Sequence, residues 1–136
     1  MSETLFPKGA ALIFGATGGI GQFVTKEFVK AGSDVAIMWR SREETANQLA
    51  QDIAKEGQKA SLHQCDVTDT QGLAKAVAEA IETHGRIHTL VWGAGPLVEQ
   101  VLISESTSEQ WKKAIDTEVH GFFNACKKEL MAKSII

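Results

Sequence analysis

Short apolar runs alternate along the chain with longer stretches in which apolar residues recur every three or four positions. Uninterrupted apolar runs are typical of strands that are buried on both faces, and the stretches between them have the period of helices. The predicted strands are residues 10–14, 35–39, 60–64 and 87–92, the third weakened by Ser61 and His63. The alternation predicts βαβ units with right-handed crossovers, and therefore one parallel sheet.

The predicted helices differ in how clearly they begin. In the first, apolar residues recur at helical spacing at Ile20, Phe23, Val24 and Phe28. Ser41 and Glu44 have the spacing of a capping box, which predicts the start of the second helix. The final helix begins near residues 106–108, and its aromatic residues are expected in the core or in a subunit contact. One side of this helix carries Trp111, Ile115, Val119, Phe122, Cys126 and Leu130, with Phe123 adjacent.

Composition excludes several classes of protein. The chain has 136 residues, 43% of them hydrophobic and 23% charged, and a formal net charge of −3. These values are typical of a single globular domain, residues 1–136. The lysines and arginines are scattered among acidic residues, so the sequence shows no basic stripe for nucleic acid. Neither a signal peptide nor an apolar run of the ~20 residues that cross a bilayer is visible, so we expect a cytoplasmic protein without membrane contact. Cys65 and Cys126 are too few for a disulfide framework and lack the spacing of a zinc site, and no other metal site is predicted.

A glycine-rich segment follows the first strand directly and opens the first helix. Glycine there permits a sharp turn and lets the backbone approach a pyrophosphate, which would face the amides and dipole of the helix N-terminus. A tight structural turn is the alternative interpretation. The candidate phosphate-binding residues are Gly15, Thr17, Gly18, Gly19, Ile20 and Gly21.

The second strand ends at Trp39, Arg40 and Ser41, without the acid that an NAD-specific protein places on the ribose 2′-hydroxyl. A guanidinium suits a 2′-phosphate, so Arg40 and Ser41 favour NADP(H) over NAD(H). The alternative is that Arg40 and Arg42 are solvated charges at a helix start.

The third and fourth strands also end in candidate cofactor contacts. Asp66 can accept a hydrogen bond from the adenine amino group while Val67 packs on the ring; an ordinary turn is nearly as good an explanation of Asp66. Ala94 and Gly95 leave room for a ribose, or simply form a turn before Pro96. All four strands end at the same edge of the sheet, where open α/β folds bind ligands. The prediction is a Rossmann-like, doubly wound parallel sheet of about four strands, in order 3-2-1-4 with helices on both faces.

Over essentially its whole length the chain resembles the short-chain dehydrogenase/reductase superfamily in its classical-type arrangement. The resemblance lies in the glycine segment, Arg40, Asp66-Val67, Gly93-Ala94-Gly95 and residues 115–124. It implies an NAD(P)-dependent oxidoreductase that acts on small alcohols or carbonyls, commonly as a homo-oligomer built partly on the final helix.

The chain departs from this family in its catalytic residues. The family's proton-donating tyrosine and its lysine lie beyond a fifth strand, and this chain contains no tyrosine. Glu118 stands at the family's helical asparagine, and Trp92-Gly93 replaces an Asn-Asn pair. Residues 133–136 look like the beginning of the fifth strand, so we expect a fragment of a longer enzyme, with an open edge at the fourth strand.

Three hypotheses follow. The leading one is the nucleotide-binding portion of an NADP(H)-dependent oxidoreductase, inactive alone because the catalytic segment is absent. The second is a catalytically inactive dinucleotide-binding or redox-sensing module that acts through a partner. The third is a structural dimer module whose glycine loop binds nothing.

Overall fold

A parallel sheet of four strands, in the order β3-β2-β1-β4, organises the chain and confirms the predicted topology. The computed structural model describes residues 5–96 and 99–132. The elements are β1 Ala10–Phe14, α1 Gly19–Lys30, β2 Asp34–Trp39, α2 Glu43–Lys55, β3 Ala60–Gln64, α3 Thr70–His84, β4 Ile87–Trp92, a 3₁₀ turn Ile103–Glu105, α4 Ser108–Ile115, a π turn Asp116–His120 and α5 Gly121–Ala132.

Strand β1 lies at the centre because all of its residues are apolar and buried. Alternate residues of β1 belong to two separate cores, one on each face of the sheet. Leu12 and Phe14 pack with Leu73 of α3 and Ala125 of α5. On the other face, Ile13 packs with residues of α1 and α2, among them Val29, Leu49 and Ile53. Helices therefore cover both faces, as expected for a doubly wound fold.

The first two turns of helix α1 pack through small residues, and two of the large apolar residues of these turns point outward. The buried residues of α1 include Gly21 and Thr25, whereas Ile20 is 82% exposed and Phe23 75% exposed. A methyl group at Gly21 would overlap the carbonyl oxygen of Gly15. This close approach sets the rotation of the helix and turns Ile20 and Phe23 outward.

The expected capping box at the start of α2 is not formed. The N-cap position is Arg42, which has no side-chain cap hydrogen bond, and the helix begins at Glu43. Ser41 lies before the helix, at the carboxyl edge of the sheet. The sequence prediction was wrong by one residue, which is enough to separate the two partners of a capping box.

The final helix begins as predicted and is then interrupted by the π turn. Thr107 caps α4 and forms a capping box with Gln110. Its aromatic residues are not in the core, because Trp111 is 64% exposed and Phe123 is 61% exposed. The buried face instead consists mainly of residues spaced four apart, including Thr117, Gly121 and Ala125.

Among the described residues, β4 pairs only with β1, on one of its two edges. The predicted fifth strand falls on residues 133–136, which lie outside the described residues. Within residues 5–96 and 99–132, no helix has the length and apolar character of a membrane span.

Two histidines, one in strand β3 and one at the end of helix α3, share a serine hydroxyl as a neighbour. The Oγ of Ser61 lies 2.7 Å from Nε2 of His63 and 2.8 Å from Nε2 of His84. Burial lowers the pKa of His63, and the Glu79 carboxylate offsets part of this effect. Burial, followed by the positive charge of Lys59, also lowers the pKa of His84.

We expect the fold to lose stability as the pH falls below about 6.5, the ordinary pKa of histidine. Because both pKa values are lowered in the folded state, the unfolded chain binds more protons in this range, and acid favours unfolding. Replacing His63 with glutamine should weaken the pH dependence of the urea midpoint. An unchanged dependence in His63→Gln would contradict this explanation.

Candidate functional site

The carboxyl ends of all four strands line one open cleft of about 220 Å³. Because the strands are parallel, the segments that follow them meet at this edge of the sheet. The predicted cofactor-binding residues that line the cleft are Gly15, Thr17, Gly18, Arg40, Ser41, Asp66, Val67, Ala94 and Gly95. The other three, Gly19, Ile20 and Gly21, form the start of α1 beside it.

The glycine loop is held between α1 and β4 by backbone contacts. Gly15 has a positive φ of 72°, and its carbonyl oxygen accepts a hydrogen bond of 3.1 Å from the amide of Gly18. The amide of Gly93 donates a hydrogen bond of 2.9 Å to the carbonyl oxygen of Phe14. A methyl group at Gly15 would overlap the Gly93 carbonyl. The loop therefore lies at the crevice between β1 and β4, where the strand order reverses.

The N-terminus of α1 has the features of a phosphate site. Its N-cap residue, Gly18, provides no side-chain hydrogen bond, and the first turn contains no acidic residue. A side chain at Gly19 would meet no atom within 4 Å, so open space adjoins this first turn. First-turn amides lack partners within the helix, and the helix dipole favours an anion here. The residues present fit a pyrophosphate.

Two arginines follow β2 at the same edge. Arg40 and Arg42 are both exposed, and both line the cleft. Nη1 of Arg42 makes a weak hydrogen bond of 3.5 Å to the carbonyl oxygen of Thr17 in the glycine loop. Two guanidinium groups thus contribute positive charge to this side of the cleft, beside the glycine loop.

Asp66, which follows β3, is fixed by its neighbour Thr68. Oδ1 of Asp66 accepts hydrogen bonds of 2.9 Å from the Thr68 amide and 2.7 Å from its hydroxyl. These hydrogen bonds, and to a smaller extent the charge of Arg40, lower the pKa of the Asp66 carboxyl. Burial raises the pKa of the adjoining Cys65 thiol to about 11, so Cys65 is a neutral wall of the cleft and not a nucleophile at pH 7.

The far side of the cleft is formed by the end of β4 and by the π turn. Gly93, Ala94, Gly95 and the buried Thr117 line it. A side-chain carbon at Gly95 would lie 3.3 Å from Oε1 of Glu118. The Glu118 carboxylate therefore stands at the β4 end of the cleft.

Known proteins share both the sequence pattern and the fold. Residues 9–134 match the short chain dehydrogenase family. The chain belongs to this family. A 3-oxoacyl-[acyl-carrier-protein] reductase of Aggregatibacter actinomycetemcomitans is 32% identical over 131 residues, which are 96% of this chain and 51% of that protein. A sorbose reductase of Candida albicans is 34% identical over 115 residues, 83% of this chain and 40% of that protein.

Two solved structures have the same fold. A short chain dehydrogenase from Burkholderia cenocepacia in complex with NADP has a TM-score of 0.87 and 26% identity, covering 95% of this chain and 52% of that one. A variant of actinorhodin polyketide ketoreductase with NADPH has a TM-score of 0.84 and 29% identity, covering 92% and 47%. The chain spans about half the length of the relatives it matches.

Two residues that line the cleft carry no sequence signal for that role. Arg42 lies two positions after Arg40 at the same strand end and has the pattern of a solvated charge at a helix start. The burial of Thr117 follows from the small-residue spacing of the final helix, which hydrophobic periodicity does not mark. Within residues 5–96 and 99–132, no three His, Cys, Asp or Glu side chains converge as metal ligands do.

Proposed function

We propose that the chain binds NADP(H) in this cleft as the nucleotide-binding part of a short-chain oxidoreductase. In the whole enzyme, the nicotinamide would exchange a hydride with a small alcohol or carbonyl substrate. The observation that carries the proposal is the single cleft, which combines a glycine turn, a helix N-terminus and two arginines. Relatives of similar fold that are solved with NADP or NADPH support it.

Each side of the cleft has a proposed role. The glycine turn and the first turn of α1 hold the pyrophosphate, the end of β2 holds the 2′-phosphate, the segment after β3 holds the adenine, and the segment after β4 borders the nicotinamide ribose. In that order the residues are Gly15, Thr17, Gly18, Gly19, Ile20 and Gly21; Arg40 and Ser41; Asp66 and Val67; and Ala94 and Gly95.

The preference for NADP(H) rests on charge. A 2′-phosphate adds negative charge that Arg40 can bind with two hydrogen bonds, and Arg42 adds a second positive group near the loop. No acidic residue is present from Trp39 to Arg42 to accept the two ribose hydroxyls of NAD(H). Residues 1–136 would then form one NAD(P)-binding domain, in an enzyme that works as a homo-oligomer.

Thermal unfolding with nucleotide fragments tests the proposal. Adenosine 2′,5′-bisphosphate carries the 2′-phosphate, and 5′-AMP lacks it. At a concentration of 100 Kd, a ligand of the folded state stabilises it by about 2.7 kcal/mol. We expect a shift in Tm of several degrees with the bisphosphate and a much smaller one with 5′-AMP at the same concentration. Equal shifts, or none, would overturn the proposed NADP(H) site.

A second candidate function is binding without catalysis. The absence of tyrosine from the chain favours it, because the family's proton donor then maps onto no residue here. We expect this chain alone to bind NADPH without oxidising it in the presence of a panel of aldehydes and ketones. Turnover above the blank rate would show that another residue supplies the proton.

A further inference from the structure

We infer that Glu118 makes this cleft favour the oxidised over the reduced form of the nicotinamide cofactor. The inference rests on the proposed function and assigns a role to a residue that does not bind the adenosine half. It concerns binding alone, so it holds whether or not the chain catalyses a reaction.

The direction of the cleft decides which part of a dinucleotide would lie near Glu118. With the 2′-phosphate at Arg40 and the pyrophosphate at the start of α1, the second half of the cofactor must continue past the glycine loop. Because the segment after β3 is assigned to the adenine, the side of the cleft that remains is the end of β4, where Gly93 and Gly95 leave space. The nicotinamide ribose and ring therefore lie toward Glu118.

The position of Glu118 is set by a well-packed backbone. The preceding residue, Thr117, is buried and lines the cleft, and Gly121 packs on Val67, where an added side-chain carbon would lie 3.1 Å from Cγ2. The carboxylate lies near Gly95, as its distance of 3.3 Å from a carbon built on that glycine indicates.

The charge of Glu118 is not neutralised by a neighbouring base. Of the nearby charged residues on the π turn, Asp116 is paired with His120 at 2.9 Å. Within residues 5–96 and 99–132, Glu118 forms no ion pair with a lysine, arginine or histidine. Glu118 is exposed, and its carboxylate gives the β4 end of the cleft a negative charge.

This charge distinguishes the two redox forms of the cofactor. The oxidised nicotinamide ring has one positive charge and the reduced ring has none, while the adenosine, the phosphates and both riboses are the same. Repulsion between Glu118 and the phosphates is therefore nearly equal for both forms and cancels in the ratio of their Kd values. In a partly solvated cleft, one such charge pair corresponds to a roughly three- to ten-fold ratio.

Calorimetric titration of the parent chain and Glu118→Gln with NADP+ and NADPH tests the inference. We expect Glu118→Gln to lower the ratio of the Kd for NADPH to that for NADP+ by about three- to ten-fold. Glu118→Asn should do the same with a shorter side chain. The matched control is Glu82→Gln, which removes the same charge from the exposed C-terminal end of α3, at the opposite edge of the sheet, and should leave the ratio unchanged.

Adenosine 2′,5′-bisphosphate separates failure of this inference from failure of the proposed function. It has no nicotinamide, so its Kd should be nearly the same in the parent and in Glu118→Gln, which also shows that the variant is folded. If it binds both but the NADPH to NADP+ ratio does not change, the role of Glu118 is refuted and the proposed site remains. If neither the bisphosphate nor either cofactor binds the parent chain, both proposals fail.

Discussion

Alanine at Gly19 should weaken nucleotide binding without destabilising the protein, whereas alanine at Gly21 should destabilise the fold itself. A side chain at Gly19 would meet no protein atom within 4 Å, so its methyl group would occupy the space proposed for the pyrophosphate. We expect Gly19→Ala to raise the free energy of unfolding by about 0.5–1 kcal/mol, the usual gain from alanine in a helix. Its affinity for NADP+ should fall at least about ten-fold, equivalent to about 1.4 kcal/mol of steric conflict.

Gly21→Ala should have a different effect from Gly19→Ala, because a methyl group at position 21 would meet backbone atoms. It would overlap the carbonyl oxygen of Gly15 and lie 3.0 Å from Cα of Ala16. Neither atom can move without displacing the loop, so we expect a loss of about 3 kcal/mol in the free energy of unfolding. Urea denaturation measures the stabilities of both variants, and calorimetry measures the binding of Gly19→Ala. Parent-like affinity in Gly19→Ala would mean that no phosphate lies beside this turn.

Reversing the charge of Arg40 should change the cofactor preference. In Arg40→Glu a favourable charged hydrogen bond of about 1.5–3 kcal/mol is replaced by repulsion of the 2′-phosphate, so we expect NADP+ to bind roughly 100-fold more weakly. NAD+ should bind as well as before or better, because the new carboxylate can accept hydrogen bonds from the ribose hydroxyls. Direct titration with both cofactors measures the change.

Two further variants make the Arg40 result specific. Arg86→Glu makes the same substitution at an exposed position immediately before β4, at the opposite edge of the sheet, and should leave both affinities nearly unchanged. Arg42→Glu should weaken NADP+ less than Arg40→Glu, because Arg42 is partly engaged with the Thr17 carbonyl. An equal loss for Arg40→Glu and Arg86→Glu would attribute the effect to net charge and not to a phosphate contact.

The strand order and the location of the cleft could be predicted from the sequence because both follow from simple patterns. Apolar runs such as residues 10–14 identify buried parallel strands, and parallel strands bring the segments after them to one edge. The glycine turn, Arg40 and Asp66 therefore appear together in the structure although they are far apart along the chain.

The orientation of α1 and α5 could not be predicted, because small residues form much of their contact surfaces. Gly21 in α1 and Gly121 in α5 approach their neighbours so closely that the large apolar residues beside them point outward. Hydrophobic periodicity gives weight to Phe23 and Trp111 and none to glycine, so it does not indicate that these two side chains are exposed on the single chain. The sequence likewise gives no sign that Thr117 lines the cleft, because a small polar residue adds nothing to the hydrophobic periodicity.

The π turn could not be predicted from the sequence either. It inserts a wider turn between α4 and α5, and turns of this kind often occur at functional sites. No sequence signal marked it, since Asp116–His120 continues the helical spacing of the segment. Its effect is local but important, because this turn sets where Glu118 stands relative to Gly95.

Calorimetric titration of the parent chain with NADP+ and with NAD+ shows whether this cleft selects the 2′-phosphate. We expect one molecule of NADP+ to bind per chain, at least about ten-fold more tightly than NAD+, a difference of about 1.4 kcal/mol. Equal affinities would contradict the role of Arg40 in selecting the 2′-phosphate. No binding of either cofactor would show that the glycine turn serves the fold alone.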